Sequence, residues 1–182
     1  MTRRRAGRFM LMAMLLACAG ASFAQPQELR SVLPAARLAG SSRLSVLGFG
    51  VYDATLWVEP DFQASDYERH AFALELSYLR DFTNNDIARR SITEMQRQPG
   101  FPAAQRAAWE LALRSAFPDV RKGDRITGVH RPGTGAVFLT NGTLSGTIRD
   151  EGFSRLFFGI WLSAHTSEPR LREALLAGVA AR

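Results

Sequence analysis

Ala136-Val-Phe-Leu-Thr140, Asn141-Gly142, Thr143-Leu-Ser-Gly-Thr-Ile-Arg149 and Asp150-Glu-Gly-Phe-Ser-Arg-Leu-Phe-Phe-Gly-Ile-Trp161 follow one another without a break. Asn-Gly between two strand-prone runs is the preferred pair for a tight hairpin, because a type I′ turn needs positive φ at both central residues. Asp150 then offers a helix N-cap. Phe153, Leu156, Phe157, Ile160 and Trp161 recur at i, i+3, i+4, i+7 and i+8 behind it, the stripe of a helix that buries one face. A hairpin followed at once by an apolar-faced helix predicts a sheet with a helix laid across it.

Working outward, the same texture recurs. Downstream, a last helix starts near Ser167 or Glu168 and carries Leu171, Leu175 and Leu176. Upstream, Asp124–His130 reads as a strand entered through Lys122-Gly123. Two helices precede it: one from Asn84 or Asn85 to about Arg97, and one from about Pro102 to Ser115, stopped at Pro118. Residues 71–78 form an apolar strand-like run. Before that, residues 43–58 alternate, with Leu44, Val46, Tyr52, Ala54, Leu56 and Val58 on one face. Arg43, Ser45, Leu47, Val51, Asp53, Thr55 and Trp57 take the other face. Gly48-Phe49-Gly50 predicts a three-residue hairpin loop between these strands. Residues 25–42 read as a polar, alanine-rich lead-in. There is no internal repeat and no long linker, so the pattern predicts one α+β domain: an antiparallel sheet with its helices gathered on one side.

The start of the chain has a different character. Arg3, Arg4, Arg5 and Arg8 precede an apolar run from Phe9 to Leu16, and Ser22-Phe23-Ala24 presents small residues at a cleavage position. These are the three parts of a secretory signal peptide, residues 1–24. The run is shorter than the ~20 apolar residues a membrane span needs. The alternative is a lipobox at Leu15-Leu16-Ala17-Cys18, which would leave a lipidated Cys18 as a membrane anchor. The reading therefore expects a periplasmic domain of residues 25–182, with the membrane-anchored lipoprotein as the other outcome. Cys18 is the sole cysteine, so cleavage after Ala24 leaves no disulfide.

Charge excludes some classes of partner. The net +6 comes from 23 basic and 17 acidic residues, and the leader holds four of the arginines. The remainder, 19 against 17, is ordinary, with no basic stripe interleaved with aromatics, so no nucleic-acid partner is expected. His70, His130 and His165 lack ligand spacing, so no metal is expected. No Gly-x-Ser-x-Gly supports a hydrolase triad, and Gly133-Thr-Gly135 is too short for a phosphate loop. Asp81, Asn84, Asn85 and Asp86 are explained by helix capping, and Arg89-Arg90 by a solvated helix face. No cofactor is expected.

One pair invites a chemical reading. A three-residue loop centred on Phe49 sets Arg43 directly opposite Thr55, with both side chains on one face. Ringed by Leu47, Val51 and Trp57, a guanidinium and a hydroxyl could grip a carboxylate while the apolar neighbours take its tail. The competing reading is an exposed face where Arg43 forms an ion pair with Asp53. Tyr78 and Arg80 either line the mouth of a cleft or close a strand.

Several pieces together resemble the chalcone isomerase-like domain in its exported bacterial branch. They are Arg43-Leu-Ser-Val-Leu-Gly-Phe-Gly-Val-Tyr-Asp-Ala-Thr-Leu-Trp57, Lys122-Gly-Asp-Arg-Ile126, Thr140-Asn-Gly-Thr-Leu-Ser-Gly-Thr-Ile148 and Phe157-Phe-Gly-Ile-Trp-Leu162. Tyr78-x-Arg80-Asp81 and Ser91-x-x-Glu94-Met95 fit the same branch. The resemblance implies an antiparallel open-faced β-sandwich with a layer of helices and an apolar ligand cleft between the two. Members of the family include plant isomerases that close a chalcone to a flavanone and others that bind fatty acids without chemistry. Arg43 and Thr55 match two positions of the plant active site at the same spacing. The positions of its tyrosine, asparagine and helix hydroxyl fall near Asp86, Thr93 and Gly159, which are departures. The resemblance, which singles out Arg43 and Thr55, and the residue reading, which adds Trp57 and Tyr78, together lead to the expectation of a protein that binds a small amphipathic molecule, a fatty acid or aromatic carboxylate, through these four residues. The alternatives are an isomerase or intramolecular lyase, with Arg43 and Thr55 as its catalytic residues, and an envelope interaction protein with no ligand site.

Expressed with its leader in a Gram-negative host, the mature chain is expected to begin at Gln25. Intact mass checks this: an acylated Cys18 start would assign the other peptidase.

Overall fold

Six stretches of alternating sequence form one antiparallel sheet whose spatial order is the chain order: β1 (Arg37–Val46), β2 (Phe49–Val58), β3 (Phe72–Tyr78), β4 (Arg125–Arg131), β5 (Gly135–Thr140) and β6 (Thr143–Ile148). The structure is a computed structural model and describes residues 25–179; the expected leader and Cys18 lie outside the described residues. The helices are α1 (Gln27–Arg30), α2 (Asn84–Met95), α3 (Arg106–Ala116), α4 (Glu151–Leu162) and α5 (Pro169–Leu175). Helices α2 to α5 share one core with the sheet. The α+β architecture and the layer of helices are as the sequence predicts.

Local chemistry accounts for the element boundaries. Asn141 and Gly142 both have positive φ, 50° and 83°, and close the β5–β6 hairpin. The Asp150 side chain accepts from the Phe153 amide at 2.9 Å and caps α4. The cap of α2 is Thr83 rather than an asparagine; its hydroxyl accepts from the Asp86 amide at 3.2 Å.

Helix α4 makes the main core contact. Phe153, Leu156 and Phe158 are fully buried. Phe158 meets Phe72 edge-on, with ring centroids 4.9 Å apart. A Cβ on Gly128 would come within 3.0 Å of the Phe158 ring, so the missing side chain lets the helix settle on β4. The opposite face of the sheet is partly covered as well: Leu29, Leu33 and Ala36 pack on Trp57, Ala73 and Val129 as a second, smaller core. The stretch read as a lead-in therefore holds α1, this packing layer and the first half of β1.

The first hairpin departs from its expected register. The turn is Leu47-Gly48, at φ 52° and 82°, with Val46 opposite Phe49 and an irregularity between Leu44 and Ser45 that leaves Val51 as the extra residue. Arg43 accordingly stands opposite Asp53, and Thr55 opposite Ser41. The physical reason is that a two-residue turn with both φ values positive follows strand twist better than the three-residue loop. Moving the turn toward the N-terminus shifts every later pair.

Two buried groups give stability predictions. Phe158→Ala removes a fully buried ring and is expected to cost about 3–5 kcal/mol, read as a fall in the denaturation midpoint; unchanged stability would show that α4 does not pack on β4. His130 Nε2 lies 2.8 Å from the Glu68 carbonyl, which only accepts, so Nδ1 accepts from the Ser154 hydroxyl at 2.7 Å. Burial is the main cause that lowers the His130 pKa below its ordinary 6.5. The unfolded chain then binds the proton first, so stability is full above pH 6.5 and falls as pH drops toward the folded pKa. His130→Gln should flatten that slope, and a slope unchanged in the variant would assign it to other groups.

Candidate functional site

Period-two alternation sends Tyr52, Ala54, Leu56 and Val58 toward the helices and Asp53, Thr55 and Trp57 away from them. Between the sheet and the helix layer lies a cavity of about 450 Å³, within the usual range for small-molecule sites. Its floor is Leu44, Tyr52, Leu76, Tyr78 and Ile126 on the strands. Ile87, Arg90, Ser91 and Glu94 of α2, Phe157, Ile160 and Trp161 of α4, and Leu171 of α5 enclose it. Val46 and Val51 reach it from the β1–β2 hairpin, and Arg80 from the end of β3.

Most of the lining is apolar, and the polar atoms sit in two groups. Inside, Trp161 Nε1 donates to the Tyr52 hydroxyl at 3.0 Å. Tyr78 meets Tyr52 edge-on with centroids 6.2 Å apart, and its hydroxyl has no hydrogen-bond partner among the described residues. Burial pushes the Tyr52 phenol up to about 12 and raises Tyr78 as well. Both are therefore neutral hydrogen-bond donors at ordinary pH.

The second group forms one rim. Glu94 is 6% exposed; its Oε1 lies 2.8 Å from Arg90, and its Oε2 lies 3.2 Å from Arg97 and accepts from Ser167 at 2.7 Å. Arg90 is thus neutralised within its own helix, at the i,i+4 spacing that brings such side chains together. Arg80 is exposed and has no ion-pair partner among the described residues. Asp86, which also lines the cavity, is held below the usual carboxylate range, first by the Thr83 hydroxyl and then by Arg89. Among the described residues no three His, Cys, Asp or Glu side chains stand together as metal ligands.

Of the four residues expected to bind a ligand, the structure brings only Tyr78 to the cavity. Arg43, Thr55 and Trp57 lie on the other face of the sheet. Arg43 donates to both carboxylate oxygens of Asp53, at 2.6 and 2.9 Å, in an exposed pair. Thr55 stands beside Ser41 and Glu75, and Trp57 belongs to the second core. Sequence reasoning missed Tyr52, Trp161, Arg90 and Glu94 as site residues. Tyr52 did carry a signal: it is a phenol alternating with Ala54, Leu56 and Val58 on the buried face, where a hydroxyl needs a reason to be.

The family model described as chalcone isomerase-like matches residues 27–177, and the chain belongs to that family. Among solved structures it is similar to the fatty-acid binding protein of Arabidopsis thaliana, with a TM-score of 0.62 and 14% identity over 78% of this chain and 87% of that one. At that identity the likeness is one of fold. No curated protein matches the chain.

The burial of the phenols is testable. Tyr52, Tyr67 and Tyr78 are the chain's three tyrosines, and burial raises all three, Tyr67 also to about 12. Unfolded tyrosines ionise near pH 10, so the unfolded chain loses protons first and stability falls as pH rises through roughly 10 to 12. Phenolate absorbance should stay absent at about pH 10 and rise only near 12 or with unfolding. A phenolate signal near pH 10, with circular dichroism still native, would show these rings open to bulk water.

Proposed function

We propose that this chain is an exported binding protein for a small amphipathic carboxylate, a fatty acid or aromatic acid, held in the cavity between sheet and helices without being chemically changed. The observation that carries the reading is the pairing of a mostly apolar cavity with one rim cation, Arg80, left without an ion-pair partner among the described residues. The tail takes the space between Leu76, Ile126, Phe157 and Ile160, where burial of apolar surface drives binding. The carboxylate stays at the rim, where Arg80 supplies a charge-assisted contact. The similar Arabidopsis thaliana protein is a fatty-acid binding protein, which supports the same ligand class. Export rests on the leader and its small-x-small exit.

Binding rather than turnover is favoured by the ionisable groups that face the cavity. Tyr52 and Tyr78 hold their protons well above neutral pH, and Glu94 is committed to Arg90, Arg97 and Ser167. A general base works best with a pKa near the operating pH, and neither phenol meets that condition.

The test compares palmitate with methyl palmitate by titration calorimetry. Arg80→Ala should weaken palmitate roughly tenfold, the lower end for a charge-assisted contact because Arg80 is exposed. Methyl palmitate should be unaffected, and Arg43→Ala should change neither. Equal affinity of the wild type for acid and ester would remove the cation from the site. Saturable chalcone turnover would assign the isomerase activity instead.

A further inference from the structure

The tip of the β1–β2 hairpin carries Val46, Leu47 and Phe49 with 51%, 93% and 67% of their surface exposed. A cluster of large apolar side chains in water marks a surface meant for an apolar partner. Among the described residues nothing covers these three; a Cβ on Gly48 would meet no described atom within 4 Å, so the tip stands clear of the described domain.

Leu47 adds an independent observation. It sits at φ 52°, a conformation that glycine or asparagine adopts freely and a leucine does not. The other hairpin places Asn141 at the same kind of position, at φ 50°. At Leu47 the chain accepts backbone strain and keeps a large apolar side chain almost wholly in water. That combination weakens the fold and is explained by a contact outside it.

The tip is also continuous with the cavity. Val46 belongs to both, exposed at the hairpin end and lining the cavity beside Leu44 and Val51. Next to Phe49, Leu79 packs so closely on Gly50 that a Cβ there would lie 2.8 Å from its Cδ1. Arg80 follows directly, which sets a cation beside the apolar tip. Apolar side chains next to an arginine match the layering of a bilayer surface, acyl boundary beneath anionic phosphate. No described helix is long and apolar enough to cross a membrane, so the contact is peripheral.

We infer that Leu47 and Phe49 dock the folded domain on a phospholipid bilayer surface, so that an amphipathic ligand passes between the bilayer and the cavity alongside Val46. The docking half stands on the hairpin alone, while the ligand half rests on the proposed function.

The test is co-sedimentation of the mature chain with vesicles of phosphatidylcholine and phosphatidylglycerol at a ratio of about three to one, without added fatty acid. The wild type should partition to the vesicles, and Leu47→Asn with Phe49→Ser should partition at least about tenfold less. Leu47→Asn alone places Asn-Gly in the turn and should keep or raise thermal stability, which separates lost docking from lost folding. Palmitate binding from free solution should be the same in wild type and double variant, whereas uptake of palmitate preloaded in vesicles should slow in the variant. A wild type that stays in the supernatant, or a double variant that sediments equally, overturns the docking. A wild-type dimer that the double variant dissociates would assign the tip to a second copy and overturn it too. If docking holds and palmitate does not bind from free solution, the proposed function fails and the docking stands.

Discussion

The distance between α4 and the sheet is set where Phe158 lies on Gly128, and α2 packs on α4 in turn. A side chain at residue 128 would push the helix away, since its Cβ would be 3.0 Å from the Phe158 ring and 3.2 Å from Phe138. Phe72 and His130 pack on the same ring, with centroids 4.9 and 5.6 Å away. One face of α4 is thereby fixed in a close-packed core, where small changes in volume are felt. The other face of the helix carries Phe157, Ile160 and Trp161 over the cavity. One helix thus works as core filler on one side and as cavity wall on the other. The cavity stays open because its floor presents two tyrosines whose hydroxyls need room and partners.

Those hydroxyls explain why the space is not closed by further aliphatic packing. Tyr52 satisfies its oxygen through Trp161 at 3.0 Å, and this bond spans from β2 to α4 across the cavity end. Tyr78 has no such partner among the described residues, so its hydroxyl is available to an incoming polar group. Glu94, nearly buried, is held in place by two arginines and a serine. Removing any one of them would leave a carboxylate short of partners in a partly desolvated place, which costs more than the contact itself is worth.

The sequence reveals the elements whose signal is local. Asn141-Gly142 closes its hairpin, and the stripe from Phe153 to Trp161 is buried or half-buried, because a turn dipeptide and a helical period need no distant information. The first half of β1 was not legible for the opposite reason. Arg37-Leu-Ala-Gly-Ser-Ser42 has little alternation, and its partner beyond β2 is the chain's far end: Gly178 donates to the Ala39 carbonyl at 2.7 Å. Gly40 lies against the backbone carbonyls of Ala174 and Leu175. The site suffered from a smaller error with larger effect. A turn placed too late along the chain paired Arg43 with Thr55 instead of Asp53. The family spacing points to that same face of the sheet, the one covered by the second core.

Which arginine is free to act separates the two faces more clearly than spacing does. On the far face, Arg43 is held by both oxygens of Asp53, and Arg125 lies 3.0 Å from Glu75 and 3.1 Å from Glu28. Burial raises the Glu75 pKa, and Arg125 opposes that shift, so this cation is committed to stabilising an acid inside the second core. Residues of that core, Leu29 and Leu33 among them, pack over Trp57 and already bury the apolar surface there. On the helix side the opposite arrangement holds: the apolar space is open, and Arg80 at its rim is uncommitted among the described residues. A carboxylate bound on the far face would have to compete with Asp53 for Arg43. A carboxylate at the rim would meet a cation that has no ion-pair partner among the described residues, and its desolvation cost would be small because Arg80 is exposed.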